Sequence, residues 1–248
     1  MKAKLITVLD SVIERLGCRK QLLKRWGVPG YSGTYNEDGL FTNHNCDFVN
    51  DDSFQHAYNL GFGTGSTQGW HIRWRIHTLL WAASIAKHLP GDFIECGTYL
   101  GASAMAVVDH VDFNKTCKNF YLCDTFTGLP DHAEIPHDYS KKNYYEEVAA
   151  TFRHFPQVKL AKGLIPDSLE HLNLTDLSLI NIDCGMEDAE APALRYLWRF
   201  LVKGGIVVLN CYAYPGFANI KSQYDAFAKE KGLFIFTCPT GQGLIVKG

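Results

Sequence analysis

The sequence lacks a long apolar run and a strong excess of charge of either sign. Its longest apolar segment starts at Leu79 and is interrupted at Ser84, far short of the ~20 residues that span a membrane. The formal net charge is −2, whereas domains that bind nucleic acid are usually strongly basic. Asp10 and Glu14 interrupt the apolar N-terminal positions, which argues against a signal peptide. We therefore expect a cytoplasmic protein that partners with neither membrane nor nucleic acid.

Cysteine pairs at metal-binding or redox spacing are also absent. None of the eight cysteines stands in a C-x-x-C arrangement, and four of them lie in or beside apolar, strand-like segments. Zinc sites and redox motifs commonly use that spacing, and the cytoplasm keeps thiols reduced. We interpret these residues as buried, reduced thiols.

The two parts of the chain differ in composition and in the pattern of their apolar residues. Of the 248 residues, 46% are hydrophobic, enough for one large domain with an extension. Residues 1–88 combine an amphipathic N-terminal helix, a polar and aromatic stretch over 27–69, and an apolar helix over 70–88. A loop as long as 27–69 is typical of a lid or a binding loop. We predict a helical extension with this lid over 1–88 and a ligand-binding domain over 89–248.

Short apolar segments alternate with helical ones from residue 91 onward. Strands are predicted over 92–96, 120–123, 158–160, 177–182 and 205–209, and helices over 102–111, 144–155, 189–202 and 218–231. This alternation is typical of a doubly wound α/β fold with a parallel sheet. Two final strands, 233–237 and 244–246, are too close in sequence for a parallel return. The predicted fold is a Rossmann-like, seven-stranded, mostly parallel sheet that ends in an antiparallel hairpin.

Ligand chemistry is expected beyond the carboxyl ends of the strands, where open α/β sheets bind their ligands. After the first strand, Gly97 permits a tight turn and Gly101 lets the next helix pack closely. Asp124 ends the second strand, where a carboxylate can accept both hydroxyls of an adenosine ribose. With Glu95 and Asp183 it makes an acidic edge, which suits the cationic S-adenosylmethionine better than the pyrophosphate of NAD.

Two longer motifs resemble those of a known family. The segment PGDFIECGTYLGAS (90–103) is similar to the cofactor loop of the macrocin O-methyltransferase family, and DTFTGLP (124–130) is similar to its second-strand signature. The resemblance covers about residues 88–248 and implies a class I methyltransferase domain. It implies methyl transfer from S-adenosylmethionine to a hydroxyl of a small molecule, such as a sugar or another natural product. The residues expected to contact the cofactor are Glu95, Gly97, Thr98, Gly101, Ser103, Asp124, Thr125, Gly163 and Asp183.

The same resemblance implies a divalent metal, held by an aspartate after the fourth strand and an Asp-Asp pair after the fifth. Asp183 matches the first ligand, but Asn210 and Cys211 stand at the position of the pair. Magnesium prefers charged oxygen ligands, so we predict methyl transfer without a metal. If a metal is retained, Asp183 with Glu187 or Asp188 is the expected ligand set.

Without a metal, a protein base has to activate the acceptor hydroxyl. His132, His137 and Asp138 are candidates because they follow the second-strand motif, in a loop expected to overhang the site. His44 and His71 are further candidates. Aromatic residues that can line an acceptor pocket are Tyr31, Tyr35, Phe41, Tyr212 and Tyr214, and the aromatic N-terminal region favours a homodimer.

Two alternatives remain open at this point. The replacement at Asn210 and Cys211 is compatible with a protein that binds the cofactor but has lost catalysis. A nicotinamide-dependent enzyme on a related fold is the second alternative, which the acidic strand ends disfavour.

Overall fold

The computed structural model describes residues 34–128 and 143–248, which form two compact units divided between Asp47 and Phe48. In the first unit, β1 (Tyr35–Glu37) pairs antiparallel with β2 (Leu40–Thr42). The turn residues Asp38 and Gly39 have φ values of 51° and 72°, the left-handed conformation that an Asp-Gly hairpin turn adopts. The predicted N-terminal helix lies outside the described residues.

The second unit contains a seven-stranded sheet. Its strands are β3 (Asp92–Cys96), β4 (Phe120–Asp124), β5 (Val158–Lys162), β6 (Leu177–Ile182), β7 (Leu201–Leu209), β8 (Phe236–Thr237) and β9 (Gly243–Val246). Their order across the sheet is β5-β4-β3-β6-β7-β9-β8. The strands from β3 to β7 are parallel, whereas β9 runs antiparallel to β7 and β8. The predicted fold class is therefore confirmed.

Helices connect and cover the strands. They are α1 (Asp52–Gly63), α2 (Arg73–Ala86), α3 (Ala102–His110), α4 (Tyr145–Thr151), α5 (Glu190–Leu197) and α6 (Ala218–Lys231). Short 3₁₀ turns occur at Asp47–Asn50, Phe113–Lys115 and Asp167–His171. Within 34–128 and 143–248, no helix has the length and apolar character needed to cross a membrane.

The expectation of a loop over 27–69 is wrong for the α1 segment. Asp51 caps this helix, since its carboxylate accepts the backbone N–H of Phe54 at 2.9 Å. The buried residues recur at helical spacing, at Phe54, Ala57, Tyr58 and Gly61. A Cβ at Gly61 would lie 2.4 Å from the carbonyl oxygen of Ala102, so the glycine lets α1 pack closely against α3. The polar composition of the exposed face hid this periodicity.

Several predicted boundaries shift because strand pairing decides them. Leu201 pairs with Leu177 at the start of β6, so β7 begins before the predicted residue 205. Helix α5 consequently ends at Leu197 instead of continuing to 202. At the end of the chain, only Phe236–Thr237 of the predicted strand 233–237 pairs with β9.

The core lies on both faces of the sheet, as a doubly wound fold requires. On one face Phe93 and Leu122 pack with side chains of α1, α2 and α3, and on the other Ile94 and Ile180 pack with side chains of α5 and α6. Side chains alternate between the faces along each strand. Among the described cysteines, all of which are free thiols, most are buried as predicted, whereas Cys117 is exposed and Cys184 is half-buried.

Candidate functional site

The carboxyl ends of five neighbouring strands are held level by backbone hydrogen bonds. The N–H of Gly97 bonds the carbonyl of Cys123 at 2.8 Å, and that of Gly163 bonds the carbonyl of Asp124 at 2.9 Å. On the other side of β3, the N–H of Asp183 bonds the carbonyl of Cys96 at 2.8 Å. The same pattern joins Asn210 to Ile182 at 2.9 Å. These contacts bring the residues that follow β3 to β7 to one edge of the sheet, as the sequence predicts.

The turn after β3 depends on two glycines. Gly97 has a φ of 83°, and a Cβ there would lie 2.4 Å from the carbonyl oxygen of Asp183. Gly101 precedes α3 with a φ of 87°, and a Cβ there would lie 2.6 Å from the ring of Phe152. Both the left-handed backbone and the lack of space exclude other residues. Ser103 follows, half-buried in the first turn of α3.

Glu95 lies buried below this turn, with 1% of its surface exposed. One carboxylate oxygen accepts the hydroxyl of Thr98 at 2.5 Å, and the other accepts the side-chain amide of Asn181 at 2.8 Å. Burial raises the pKa of Glu95 to about 7, although both hydrogen bonds act to lower it. At neutral pH, Glu95 is therefore close to half protonated.

Asp124 holds the loops after β3 and β4 together. Its Oδ2 accepts the backbone N–H of Tyr99 at 2.8 Å, and its Oδ1 accepts the N–H of Phe126 at 2.8 Å and the hydroxyl of Tyr144 at 2.7 Å. The neighbouring Thr125 donates its hydroxyl to the carbonyl of Gly128 at 3.0 Å. A carboxylate offers about four lone pairs, and the hydroxyl of Thr125 also lies 3.3 Å from Oδ1, so in this arrangement Oδ2 is the oxygen with room for a further donor.

Asp183 is the exposed carboxylate of this edge. It accepts the thiol of Cys211 at 3.7 Å. Protein atoms surround it on most sides although water reaches it, and this desolvation raises its pKa, whereas the positive charge of Arg75 lowers it. Asp183 therefore presents a carboxylate at the surface of this edge.

A chain of buried amides connects the ends of β3, β6, β7 and β9. The Nδ2 of Asn210 donates to the Oδ1 of Asn181 at 2.8 Å, while its Oδ1 accepts the Nε2 of Gln242 at 2.9 Å. All three residues are at most 5% exposed. Our sequence analysis missed this chain, although an asparagine within the apolar strand β6 was a signal for it.

Arg75 of α2 reaches the same edge, and sequence reasoning missed it too. Its Nη2 donates to the carbonyl of Asn210 at 3.0 Å, and its guanidinium lies 4.8 Å from the ring centre of Tyr214. Through these contacts a permanent positive charge lies beside the ends of β6 and β7. Arg75 lies in the first turn of α2, so no strand-end motif could have indicated it.

A known protein family matches more than half of the chain. The model of the macrocin O-methyltransferase (TylF) family matches residues 73–234. The chain belongs to this family. No curated protein matches the sequence. The predicted family and enzyme class, an S-adenosylmethionine-dependent O-methyltransferase, are therefore confirmed, whereas the domain boundary at residue 88 and the nine predicted cofactor contacts stay predictions.

Solved structures share the fold at low sequence identity. The O-methyltransferase NovP is 18% identical, with a TM-score of 0.60 over 70% of this chain and 79% of that one. The calicheamicin methyltransferase CalS11 is 16% identical, with a TM-score of 0.55 over 87% of this chain and 98% of the other. PaMTH1 from Podospora anserina, solved with S-adenosylhomocysteine, is 17% identical, with a TM-score of 0.53 over 80% and 88%. These likenesses support the methyltransferase fold.

The residues at the position of the family's metal do not fit a divalent cation. The side-chain oxygen of Asn210 already accepts Gln242, and burial raises the pKa of the Cys211 thiol well above its ordinary value, so it stays protonated. Glu187 accepts the amide of Asn219 at 2.8 Å. Within residues 34–128 and 143–248, no three His, Cys, Asp or Glu side chains form a possible metal site, so Asp183 with Glu187 or Asp188 has no third ligand of these types there.

The predicted bases and acceptor-pocket residues are distributed over several places. His132, His137, Asp138 and Tyr31 lie outside the described residues, and Tyr35, Phe41 and His44 belong to the first unit. The ring of His71 stacks on Phe62 with 5.0 Å between the ring centres. Tyr212 donates its hydroxyl to Asp225 at 2.6 Å, whereas the ring of Tyr214 lies beside Arg75 at the strand-end edge.

Proposed function

We propose that this protein transfers the methyl group of S-adenosylmethionine to a hydroxyl of a small molecule in the cytoplasm. The observation that carries the proposal is the strand-end edge, where a glycine turn and three carboxylates, Glu95, Asp124 and Asp183, lie at the carboxyl ends of three adjacent strands. Family membership adds the reaction class.

The residues of this edge fit the cofactor. Asp124 keeps one acceptor position for a ribose hydroxyl, beside the backbone of Tyr99 that it anchors. Asp183 offers an exposed carboxylate, and Glu95 can ionise when a positive charge approaches. An ammonium and a sulfonium group are stabilised by such an edge, whereas the pyrophosphate of a nicotinamide cofactor is repelled.

Orientation is the main task of the chain in this reaction. When bound, the cofactor supplies a methyl group on a positively charged sulfur, which is attacked in line by the acceptor oxygen. The turn from Gly97 to Gly101 packs closely against Asp183 and Phe152, and the bond from Tyr99 to Asp124 fixes its middle, so it can hold a ligand in one position. Positioning of this kind accounts for a large part of the rate enhancement in displacement reactions.

The second ligand in this reaction is the acceptor molecule. We place it beside Tyr214 and Asp183, at the ends of β7 and β6, because the ribose site at Asp124 lies on the opposite side of β3. We propose a sugar or another natural-product hydroxyl as its reactive group, and a homodimer as the assembly. One CalS11 structure is described as a TDP-rhamnose 3'-O-methyltransferase, so nucleotide sugars belong in the first panel of acceptors.

The test is calorimetry with S-adenosylhomocysteine and with NAD, followed by turnover against phenols, sugars and nucleotide sugars. We expect S-adenosylhomocysteine to bind and NAD not to bind. Binding of NAD alone would contradict the proposal and support the nicotinamide alternative. Tight binding of S-adenosylhomocysteine without turnover of any acceptor would favour a protein that has lost catalysis.

A further inference from the structure

Arg75 places a fixed positive charge where the family resemblance calls for a metal ion. Its guanidinium contacts the carbonyl of Asn210 at 3.0 Å and lies over Tyr214, and its charge acts on Asp183. The resemblance implies a divalent cation among three carboxylates at this place. Here one carboxylate, Asp183, remains, and Asn210 and Cys211 are neutral. Compared with the pattern that the resemblance implies, this place has two negative charges fewer. A guanidinium with one positive charge stands there in place of a doubly charged ion.

The helix that carries Arg75 gains nothing from this charge. Arg75 lies in the first turn of α2, which has no acidic residue and no side-chain cap. A cation at the N-terminus of a helix opposes the helix dipole. The described contacts of its guanidinium lie outside the helix, at Asn210 and Tyr214.

The buried amide chain explains why an asparagine, not an aspartate, follows β7. Asn210 has to donate its Nδ2 to Asn181 and to the carbonyl of Ile182, at 2.8 and 3.3 Å. An aspartate has no N–H for either acceptor. Gln242 contacts both the side chain of Asn210 and the carbonyl of Arg75, at 2.9 and 3.4 Å. Asn210, which stands at the metal-ligand position, is therefore part of the hydrogen-bond network that supports Arg75.

We propose that Arg75 replaces the metal ion by stabilising negative charge on the acceptor oxygen during methyl transfer. This inference rests on the proposed function. In the step, the acceptor oxygen forms a bond to the methyl carbon, the carbon–sulfur bond breaks and its electron pair stays on sulfur. The hydroxyl proton passes to solvent water, and Arg75 keeps its own protons. A fixed charge at such a position is effective because it needs no reorganisation as the reaction proceeds.

Titration with Mn²⁺, followed by the electron paramagnetic resonance of the free ion, tests the replacement without an acceptor. We expect no saturable binding by the wild-type protein at sub-millimolar Mn²⁺. The triple variant Arg75→Met, Asn210→Asp, Cys211→Asp should bind Mn²⁺ because it restores carboxylates and removes the cation. Saturable binding by the wild type, or none by the folded triple variant, would overturn the proposal. If the triple variant does not fold, Arg75→Glu, which adds one carboxylate beside Asp183, takes its place.

Kinetics with an acceptor from the panel separate an acceptor-stabilising role from a structural one. Arg75→Gln should lower kcat about 100-fold in the presence of EDTA, whereas Arg75→Lys, which keeps the charge, should retain more of it. The affinity for S-adenosylhomocysteine should stay unchanged in both. The matched control is Arg73→Gln, two residues earlier, whose guanidinium lies over Tyr58, and it should keep the wild-type kcat. Equal kcat values for the Lys and Gln variants, or activation of the wild type by Mn²⁺, would contradict the inference.

Failure of this inference is distinct from failure of the proposed function. If S-adenosylhomocysteine does not bind, the proposed function is wrong. If it binds and the wild type also binds Mn²⁺ saturably, only the role of Arg75 is wrong.

Discussion

The ends of β3 and β4 and the ends of β6 and β7 lie at one edge of one sheet, but they are built in different ways. At β3 and β4, the carboxylate of Asp124 is held mainly by backbone N–H groups of neighbouring turns, from Tyr99 and Phe126. At β6 and β7, side chains bond side chains across long sequence separations, as Asn210 does with Asn181 and Gln242. The first half, the cofactor half, is therefore held largely by backbone donors, and the second, the acceptor half, by side-chain amides.

Because of this difference, the two halves should respond differently to substitution. The glycines and the aspartate of the cofactor half stand directly beside strand ends in the sequence, so this half can be recognised as a motif. The acceptor half depends on residues of α2, β6, β7 and β9, which are distant from one another in the sequence. Variants directed at each half should therefore behave differently.

The largest effect is expected for Gly97→Ala in the cofactor half. The new Cβ would lie 2.4 Å from a backbone oxygen that cannot move away, so we expect a loss of unfolding free energy of about 4 kcal/mol or more. Gly216→Ala is the matched control, because Gly216 has a φ of 94° but no atom within 4 Å of its Cβ position. It should lose only about 1–2 kcal/mol. Urea unfolding measures both, and equal losses would show that backbone conformation alone matters at Gly97.

The bridge between the two halves should be the next most sensitive point. Asn181→Leu removes the donor to Glu95 and the acceptor of Asn210, so two buried polar groups lose a partner. Each costs about 1–3 kcal/mol. The exposed Asn219→Ala, which loses one bond to Glu187, should change stability by less than about 0.5 kcal/mol. A small effect of Asn181→Leu would mean that the halves are energetically independent.

The pH dependence of stability should report the burial of Glu95. Its pKa is about 7 in the folded protein against an ordinary value of 4.5, so the folded state binds this proton more tightly than the unfolded chain does. The unfolding free energy should therefore fall as the pH rises from 4.5 to about 7, by roughly 3 kcal/mol from this group. Glu95→Gln should remove that part of the slope.

Urea unfolding at several pH values checks this expectation. Glu146→Gln, at an exposed position of α4, should retain the wild-type slope. Asp183 and Glu190 also have raised pKa values caused by burial, so some slope of the same sign should remain in the Glu95 variant. An unchanged slope in Glu95→Gln would contradict the assignment.

The smallest effect is expected at Asp124, where protein donors and ribose hydroxyls compete for the lone pairs of the carboxylate. Asp124→Ala is expected to lower the cofactor affinity ~10-fold or more, but it also releases Tyr99 and Phe126, so affinity and folding change together. Tyr144→Phe removes only one donor. If two ribose hydroxyls compete for that position, the affinity for S-adenosylhomocysteine should rise about 3- to 10-fold.

Calorimetry with Tyr145→Phe as the control makes this comparison. Tyr145 packs its ring edge-on against Phe126, with 5.2 Å between the ring centres, and its hydroxyl is not needed for that contact. The control should bind as the wild type does. Unchanged affinity in both variants would mean that the ribose does not need the position that Tyr144 holds.

Much of the fold and of the cofactor half could be predicted from consecutive residues. The strand 177–182 and the helix 218–231 have the predicted bounds, because apolar periodicity reflects local burial. Gly97, Gly101 and Asp124 were found as parts of a motif for the same reason. Helix α1 was missed because its apolar face is narrow and its remaining positions are polar.

By itself, the sequence determined the alternation of strands and helices, the glycine turn and the acidic strand ends, since each depends on neighbouring residues. Only the tertiary structure decided what surrounds Asn210. Gln242 and Arg75 are far from it in sequence and reach it because β9 inserts beside β7 and α2 carries Arg75 to this edge. A charge exerts its effect through space, so its partners can be read only once the chain has brought them together.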